Sequence, residues 1–371
     1  MKVHGVHRHT IEPLAGRRAV QVLDQTLLPH EIVWRTLDSL AGTAEAIRAM
    51  TVRGAPLIGA TAAFGLSFGL AADPSDAGLA ATYERLLATR PTAVNLRWSL
   101  DRVCARVTPL VPADRADGAW GEAVQICADD VATNAAIGRH GLALFRTLLE
   151  AKPEAPLNIL THCNAGWLGC VDWGTALAPV YLAHDAGLPV HVWVSETRPR
   201  NQGASLTAWE LTQHGVPHTL VVDNAAGHLL QRGFVDLCIV GTDRVTAGGD
   251  VANKIGTYLK ALAARAHQIP FYVALPLSTV DWTITDGIAD IPIEQRAGRE
   301  VTHLAGQNSD GQRTEVRLAP PGTLARNDAF DVTPAALVTA LITEHGPCQA
   351  DAGSLQRLAA QAESSGRRLN R

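Results

Sequence analysis

The feature that most constrains this chain is a pattern in its second half. Five short apolar runs occur there: "LNIL" (157–160), "VHVWV" (190–194), "HTLVV" (218–222), "LCIV" (237–240) and "FYVAL" (271–275). The intervals between them are long enough for helices. Strands alternating with helices predict a parallel sheet covered on both faces, an α/β architecture. Each run is followed at once by polar or turn-forming residues: Cys163-Asn164, Ser195-Glu196-Thr197-Arg198, Asp223-Asn224, Thr242-Asp243-Arg244 and Pro276-Leu277-Ser278-Thr279. In an open parallel sheet those ends share one edge, and ligands bind in the crevice outside it. Five loops are therefore expected to converge on one pocket.

The first part of the chain has a different texture, and the change falls near residue 140. "TLDSLAGTAEAIRAM" places Leu37, Leu40, Ile47 and Met50 at helical spacing, and Pro56 stands where a small-residue helix begins. A helix is expected to stop near Arg90-Pro91 and another to start near Asn95, with a loop over 112–120 and one or two helices after it. The expected domains are a mostly helical one over 1–138 and a Rossmann-like one over 139–371 ending in a polar tail.

At 371 residues and 47% hydrophobic, the chain can bury a sizeable core. A net charge of -4 argues against nucleic acid as partner. No apolar stretch approaches the roughly 20 residues of a membrane span, and the start carries no signal-peptide core. The six cysteines are scattered, without CxxC spacing, which fits reduced thiols in the cytoplasm. The 14 histidines form no HExxH-like set, so no metal is expected. Neither GxGxxG nor a Walker loop is present.

Phosphate-binding features are better supported. In "VRGAPLIG" an arginine and two small residues precede a helix, so a cation and free N–H groups can meet an anion. "TAGGDVANKIGTYLKALAARAH" reads as a second case, with Asp250 as N-cap, Asn253 and Lys254 in the first turn, and Val251, Ile255, Leu259 and Leu262 on the packed face. Lysine there opposes the helix dipole, which invites a functional explanation.

The chain resembles the family of methylthioribose-1-phosphate isomerases, a group that also holds ribose-1,5-bisphosphate isomerases and regulatory subunits of an initiation-factor exchange complex. The resemblance rests on "LDQTLLP" (23–29), "VRGAPLIGA" (52–60), "RPTAVNL" (90–96), "THCNAG" (161–166), "ETRPRNQGASLTAWEL" (196–211), "GTDRVTAGGDVANKIGTY" (241–258), "PFYVALPLSTVD" (270–281), "IPIEQR" (291–296) and "FDVTPAALVTALITEHG" (330–346). It implies a helical domain followed by a Rossmann-like domain, a homodimer, and no metal or organic cofactor. The implied reaction turns a furanose 1-phosphate into the open ketose 1-phosphate in methionine salvage. Cys163 and Asp243 fall on the catalytic positions. Arg53, Gly54, Ala55, Arg90, Gln202, Asn253 and Lys254 fall on substrate-binding ones. Thr242 and Gly248 depart from the residues more usual there, Ala and Asn.

The residue types suit that chemistry. Ring opening needs a proton on the ring oxygen, and hydrogen must then pass from C2 to C1 by proton relay or hydride shift. For the relay, a thiolate and a carboxyl group serve as base and acid. The turn holding Cys163 is expected to lower its thiol pKa, and a desolvated Asp243 to keep its proton. For the hydride route a dry cavity matters more, and the sequence leaves both open. His162 adjoins Cys163, but neighbouring side chains of an extended segment point apart, so they form no dyad. Glu196, Arg198 and Arg200 read equally well as an ion-pair net. Isomerisation of 5-deoxyribose 1-phosphate or ribose 1,5-bisphosphate is the alternative activity, and a non-catalytic sugar-phosphate or nucleotide sensor is the alternative class.

Overall fold

The computed structural model describes residues 1–90, 93–152 and 155–364. A three-stranded antiparallel sheet (Ile11–Pro13, Val20–Leu23, Trp34–Leu37) leads into five helices. These are α1 (Leu40–Arg48), α2 (Ala55–Ala72), α3 (Asp76–Leu87), α4 (Val94–Val107) and α5 (Pro112–Glu150). Ser39 and Ser75 cap α1 and α3 by accepting N–H groups of Gly42 and Gly78. Pro91 lies outside the described residues.

Helix α2 forms the axis of this part. Against the expectation that no apolar stretch approaches a membrane span, its 18 residues are apolar enough and long enough to cross a membrane by composition, yet 78% of them are buried. Enclosure by the neighbouring helices accounts for that all-round apolarity. Close approach needs small residues: a Cβ on Gly59 would stand 2.7 Å from the Asn95 carbonyl oxygen of α4.

The expected loop at 112–120 is instead the start of α5, which runs unbroken for 39 residues. Pro112 sits in its first turn, where proline is favoured. Gly118, inside that span, faces Leu110 so closely that a Cβ there would be 2.5 Å from its Cδ1. Residue 138 lies within this helix. Ala119, Ala123 and Ile126 join the helical core, whereas Ile137 and Phe145 pack on the sheet.

All five expected strands exist: Leu157–His162, Val190–Ser195, His218–Val221, Leu237–Val240 and Phe271–Ala274. Ala340–Thr343 adds a sixth parallel strand and Gly346–Cys348 an antiparallel edge. Numbered along the chain, the parallel strands lie in the spatial order 3-2-1-4-5-6, that of doubly wound dinucleotide-binding sheets. Alternate residues serve opposite faces. Ile159, Val192, Leu237 and Ile239 meet Phe145, Val180 and Tyr181 on one side. Leu160, Cys238, Val240 and Val273 meet Leu229, Ala261 and Leu355 on the other. Helices therefore cover both faces, as expected.

The reading of 250–262 is overturned. Val251–Lys254 is a strand, paired antiparallel with Arg244–Thr246 and with Phe330–Thr333. The helix starts only at Thr257, after Gly256 at φ 97°. Asp250 is not its N-cap: its two carboxylate oxygens accept the N–H groups of Gly287 and Ala335, each at 2.9 Å. Asp331 takes the capping role, accepting from Gly256 N (2.7 Å) and Tyr258 N (3.1 Å). The helix buries Thr257, Lys260, Ala261 and Ala264, while Leu259 and Leu262 are exposed. Partners distant in sequence made the strand, and local periodicity carried no trace of them. The tail is helical over Ala352–Ser364, and residues 365–371 lie outside the described residues.

Candidate active site

Strand order places the crevice. It reverses between the first strand, Leu157–His162, and the fourth, Leu237–Val240, and ligands bind at such switch points. Cys163 follows the first of these strands directly and Asp243 lies three residues beyond the second. The two residues line one hollow, whose free space is about 810 Å3 when the open solvent at its mouth is included.

Arg53, Gly54, Ala55, Arg90, Gln202 and Lys254 line the same hollow, together with Arg244. Asn253 lines an adjoining recess that shares Arg53, Gly54, Cys163 and Asp243. All nine sequence-derived site residues are thus brought together. An apolar wall of Met50, Ile58, Ala93, Ile291 and Phe330 completes the hollow. Sequence reasoning assigned none of these five to the site, because apolar residues at scattered positions look like ordinary core.

Each polar group is held from behind. Gly54 precedes α2 at φ 90°, and a Cβ there would lie 2.3 Å from Gly169 Cα. Only glycine lets these two backbones meet and so exposes the first turn of α2 to the hollow. Beside it, Arg53 donates from Nη1 to Asn164 Oδ1 (2.5 Å) and from Nη2 to Asn164 O (3.2 Å). Arg90 pairs with Glu294 at 3.7 Å and Arg244 with Asp281 at 3.3 Å. Lys254, 9% exposed, donates to Ala329 O (3.0 Å) and lies 4.5 Å from the Phe330 ring centroid. Burial depresses its pKa, while Cys163 and Asp243 oppose the shift. Lysine therefore stands at the end of a strand, where the dipole argument does not apply. Four cations against one carboxylate give the hollow an anion-seeking field.

Cys163 adopts φ 64°, a left-handed conformation that costs a side chain about 1–3 kcal/mol. Its neighbours impose it. The Cys163 N–H donates to Thr197 Oγ1 (2.7 Å), and its carbonyl accepts from Thr207 Oγ1 (2.6 Å). Thr197 is itself left-handed at φ 68° and is fixed by its own N–H donating to Asp223 Oδ1 at 2.8 Å. The expectation of a lowered thiol pKa is reversed. Burial pushes the thiol up, and the pull of Arg53 and Lys254 does not offset it. The thiol instead lies 3.6 Å from Gln202 Oε1 as a donor. Gln202 stands before a five-residue π-turn, Gly203–Thr207, a form that recurs at functional sites.

The His162 and Cys163 side chains bond to different partners and form no dyad. The His162 Nε2–H donates to Ile255 O (2.8 Å), and burial with nearby Lys260 holds the ring neutral. Arg198 and Arg200 do form a structural net: Arg200 meets Glu300 at 2.7 Å and Arg198 donates to the Val301 carbonyl at 2.8 Å. Glu196 takes no part in those bonds. Among the described residues, the grouping with metal-ligand spacing is His7, His9 and Asp172, none of which lines the hollow. Both Asp172 oxygens are already used, by the Met1 ammonium (2.5 Å) and by His7 (2.9 Å).

Fold and site together define a doubly wound α/β protein with a cationic hollow at the switch point and a thiol and a carboxylate on its wall. The chain belongs to the Initiation factor 2 subunit family, whose model matches residues 51–350. It is 59% identical over 363 residues to the methylthioribose-1-phosphate isomerase of Rhodospirillum rubrum, covering 96% of this chain and 93% of that one. It is 60% identical to the protein of the same name from Methylobacterium nodulans, covering 96% and 98%. Among solved structures it is similar to the 5-methylthioribose 1-phosphate isomerase of Pyrococcus horikoshii OT3 (39% identity, TM-score 0.81, covering 95% and 96%). It is also similar to the translation initiation factor eIF-2B, subunit delta, of A. fulgidus (35%, 0.76, 92% and 96%).

Proposed function

We infer that this chain is an aldose–ketose isomerase that converts 5-methylthioribose 1-phosphate into 5-methylthioribulose 1-phosphate in methionine salvage. The observation that carries the reading is 57–60% identity, over nearly the whole chain, to several proteins of that name.

The residue roles are part of the proposal. Arg53, Arg90, Lys254 and the first turn of α2 hold the phosphate, a dianion that three cations and free N–H groups can match. Asp243 delivers a proton to the ring oxygen as the C1–O4 bond breaks. Cationic charge then develops at C1, stabilised by the phosphate oxygen. Hydrogen passes from C2 to C1, and the C2 hydroxyl returns a proton to the Asp243 carboxylate, which restores the starting state. A thiol pushed up by burial and donating to Gln202 is poorly suited as a base, which favours hydride transfer over relay. In that route Cys163 shapes a dry pocket beside the reacting carbons. The apolar wall of Met50, Ile58 and Phe330 suits a methylthio group better than a second phosphate. Homodimeric assembly and a cytoplasmic location complete the proposal, the first open to light scattering.

The test is turnover of the purified chain with 5-methylthioribose 1-phosphate, 5-deoxyribose 1-phosphate and ribose 1,5-bisphosphate, followed by NMR of the ketose. The first should have the highest kcat/KM. A preference for the bisphosphate would overturn the substrate reading, and absence of turnover with all three would favour a sensor.

A further inference from the structure

We propose that Glu210 is a positioning residue for substrate phosphate: it sets the orientation of the Asn164 side-chain amide, which in turn holds the Arg53 guanidinium at the hollow. The proposal rests on the reading of Arg53 as a phosphate ligand given above.

Glu210 lies on the helix Ala208–His214, is fully buried and does not line the hollow. A buried carboxylate of this kind needs partners. It has two that matter here: the Asn164 Nδ2 donates to Oε1, and the Leu168 N–H approaches Oε2 at 3.4 Å. The fit is tight, since a Cβ on Gly166 would meet the Glu210 carboxyl.

An amide side chain has one accepting end and one donating end. Glu210 presents Oε1 to Asn164 and Oε2 to the Leu168 N–H, and a carboxyl group keeps an accepting oxygen whether or not it is ionised, so this geometry selects the NH2 end of the amide. Thr207 Oγ1, 3.2 Å from the same Nδ2, agrees with that choice. The Oδ1 end of Asn164 is thereby turned to Arg53 and receives its Nη1 at 2.5 Å. Reversal of the amide would set two N–H donors against a guanidinium, which has no acceptor. The carboxylate thus acts on the phosphate site through two intervening side chains, without touching the substrate. Asn164 follows Cys163 in the chain, so the same anchor also ties the left-handed turn at Cys163 to the helix.

The experiment is a kinetic cycle on the full chain. Glu210→Leu should raise KM for the sugar phosphate about tenfold with a smaller change in kcat. Glu210→Gln, whose carbonyl can still accept from Asn164, should recover most of that loss. Arg53→Ala alone should raise KM, and adding Glu210→Leu to it should cost little more, because the residue being positioned is gone. Thermal melts confirm folding, and if Glu210→Leu does not fold, Asn164→Ala takes its place in the same cycle. A KM effect of Glu210→Leu that persists undiminished beside Arg53→Ala overturns the proposal, as does an effect on kcat alone. Should Arg53→Ala raise KM while Glu210→Leu leaves it unchanged, the positioning role fails and the phosphate reading stands. Should Arg53→Ala leave KM unchanged, both fall.

Discussion

Gly54→Ala is the sharpest single test of how the fold builds the anion site. The added methyl would stand 2.3 Å from Gly169 Cα and 2.4 Å from Gly169 O, both backbone atoms. Neither can rotate aside as a side chain could. Residue 54 also sits at φ 90° and ψ 138°, a region nearly closed to other residues. Backbone strain of this kind costs about 1–3 kcal/mol, and overpacking adds about 1–3 kcal/mol. The sum, roughly 2–6 kcal/mol, is a large share of the ~5–15 kcal/mol that holds a domain folded. Part of it should be relieved by moving the start of α2 away from the Gly169 segment, which opens the phosphate site. Urea denaturation should therefore show a lowered midpoint, and KM should rise about tenfold or more. Gly121→Ala is the control: it is an exposed helical glycine with nothing within 4 Å of the added methyl, and it should gain about 0.5–1 kcal/mol. A Gly54→Ala loss under about 1 kcal/mol with unchanged KM would refute the close-approach argument.

Asp243→Asn should leave a folded protein with kcat reduced by roughly 10²–10⁴, and Cys163→Ala should also lower it; near-normal turnover in both would remove them from the mechanism. Isomerisation run in D2O should give ketose that keeps its hydrogen at C1, since the neutral thiol is no base; close to one deuterium per turnover would instead establish a relay. Glu210 also makes a stability prediction. Burial raises its carboxyl to about 7 from an ordinary 4.5, so between those values the native state holds a proton that the unfolded chain has lost. Its contribution is complete below the lower value and is lost as pH rises through the upper one. Denaturation midpoints of Glu210→Gln should accordingly fall less than those of the parent between pH 5 and pH 7, and parallel profiles would contradict the assignment.

Much of this protein was legible in advance because its signals are local. Five of the seven main-sheet strands announced themselves as apolar runs with polar ends, and that end position alone brought Cys163 and Asp243 to one edge. The arginine and glycine before α2 were legible in the same way, and both line the hollow. One error arose where a segment's partner lies far off in sequence. Val251–Lys254 became a strand because Phe330–Thr333 lies beside it; the start of α5 was missed for a local reason, since a proline suited to a first turn reads as part of a loop. The Cys163 pKa went up because burial outweighed the cations next to it. Glu210 gave no signal at all: in "TAWEL" it reads as an ordinary helical glutamate.

The amino-acid order by itself determined the α/β class, the edge of the sheet where the polar strand ends gather, and the residue types offered there, since these follow from alternation and from what stands at a strand's end. Only the tertiary structure decided the spatial strand order that sets the first strand beside the fourth, the apolar wall, and the Glu210–Asn164–Arg53 line. The last of these alone joins residues 46 and 111 positions apart, and the burial and electrostatic fields that such contacts create do not exist until the chain has closed around them.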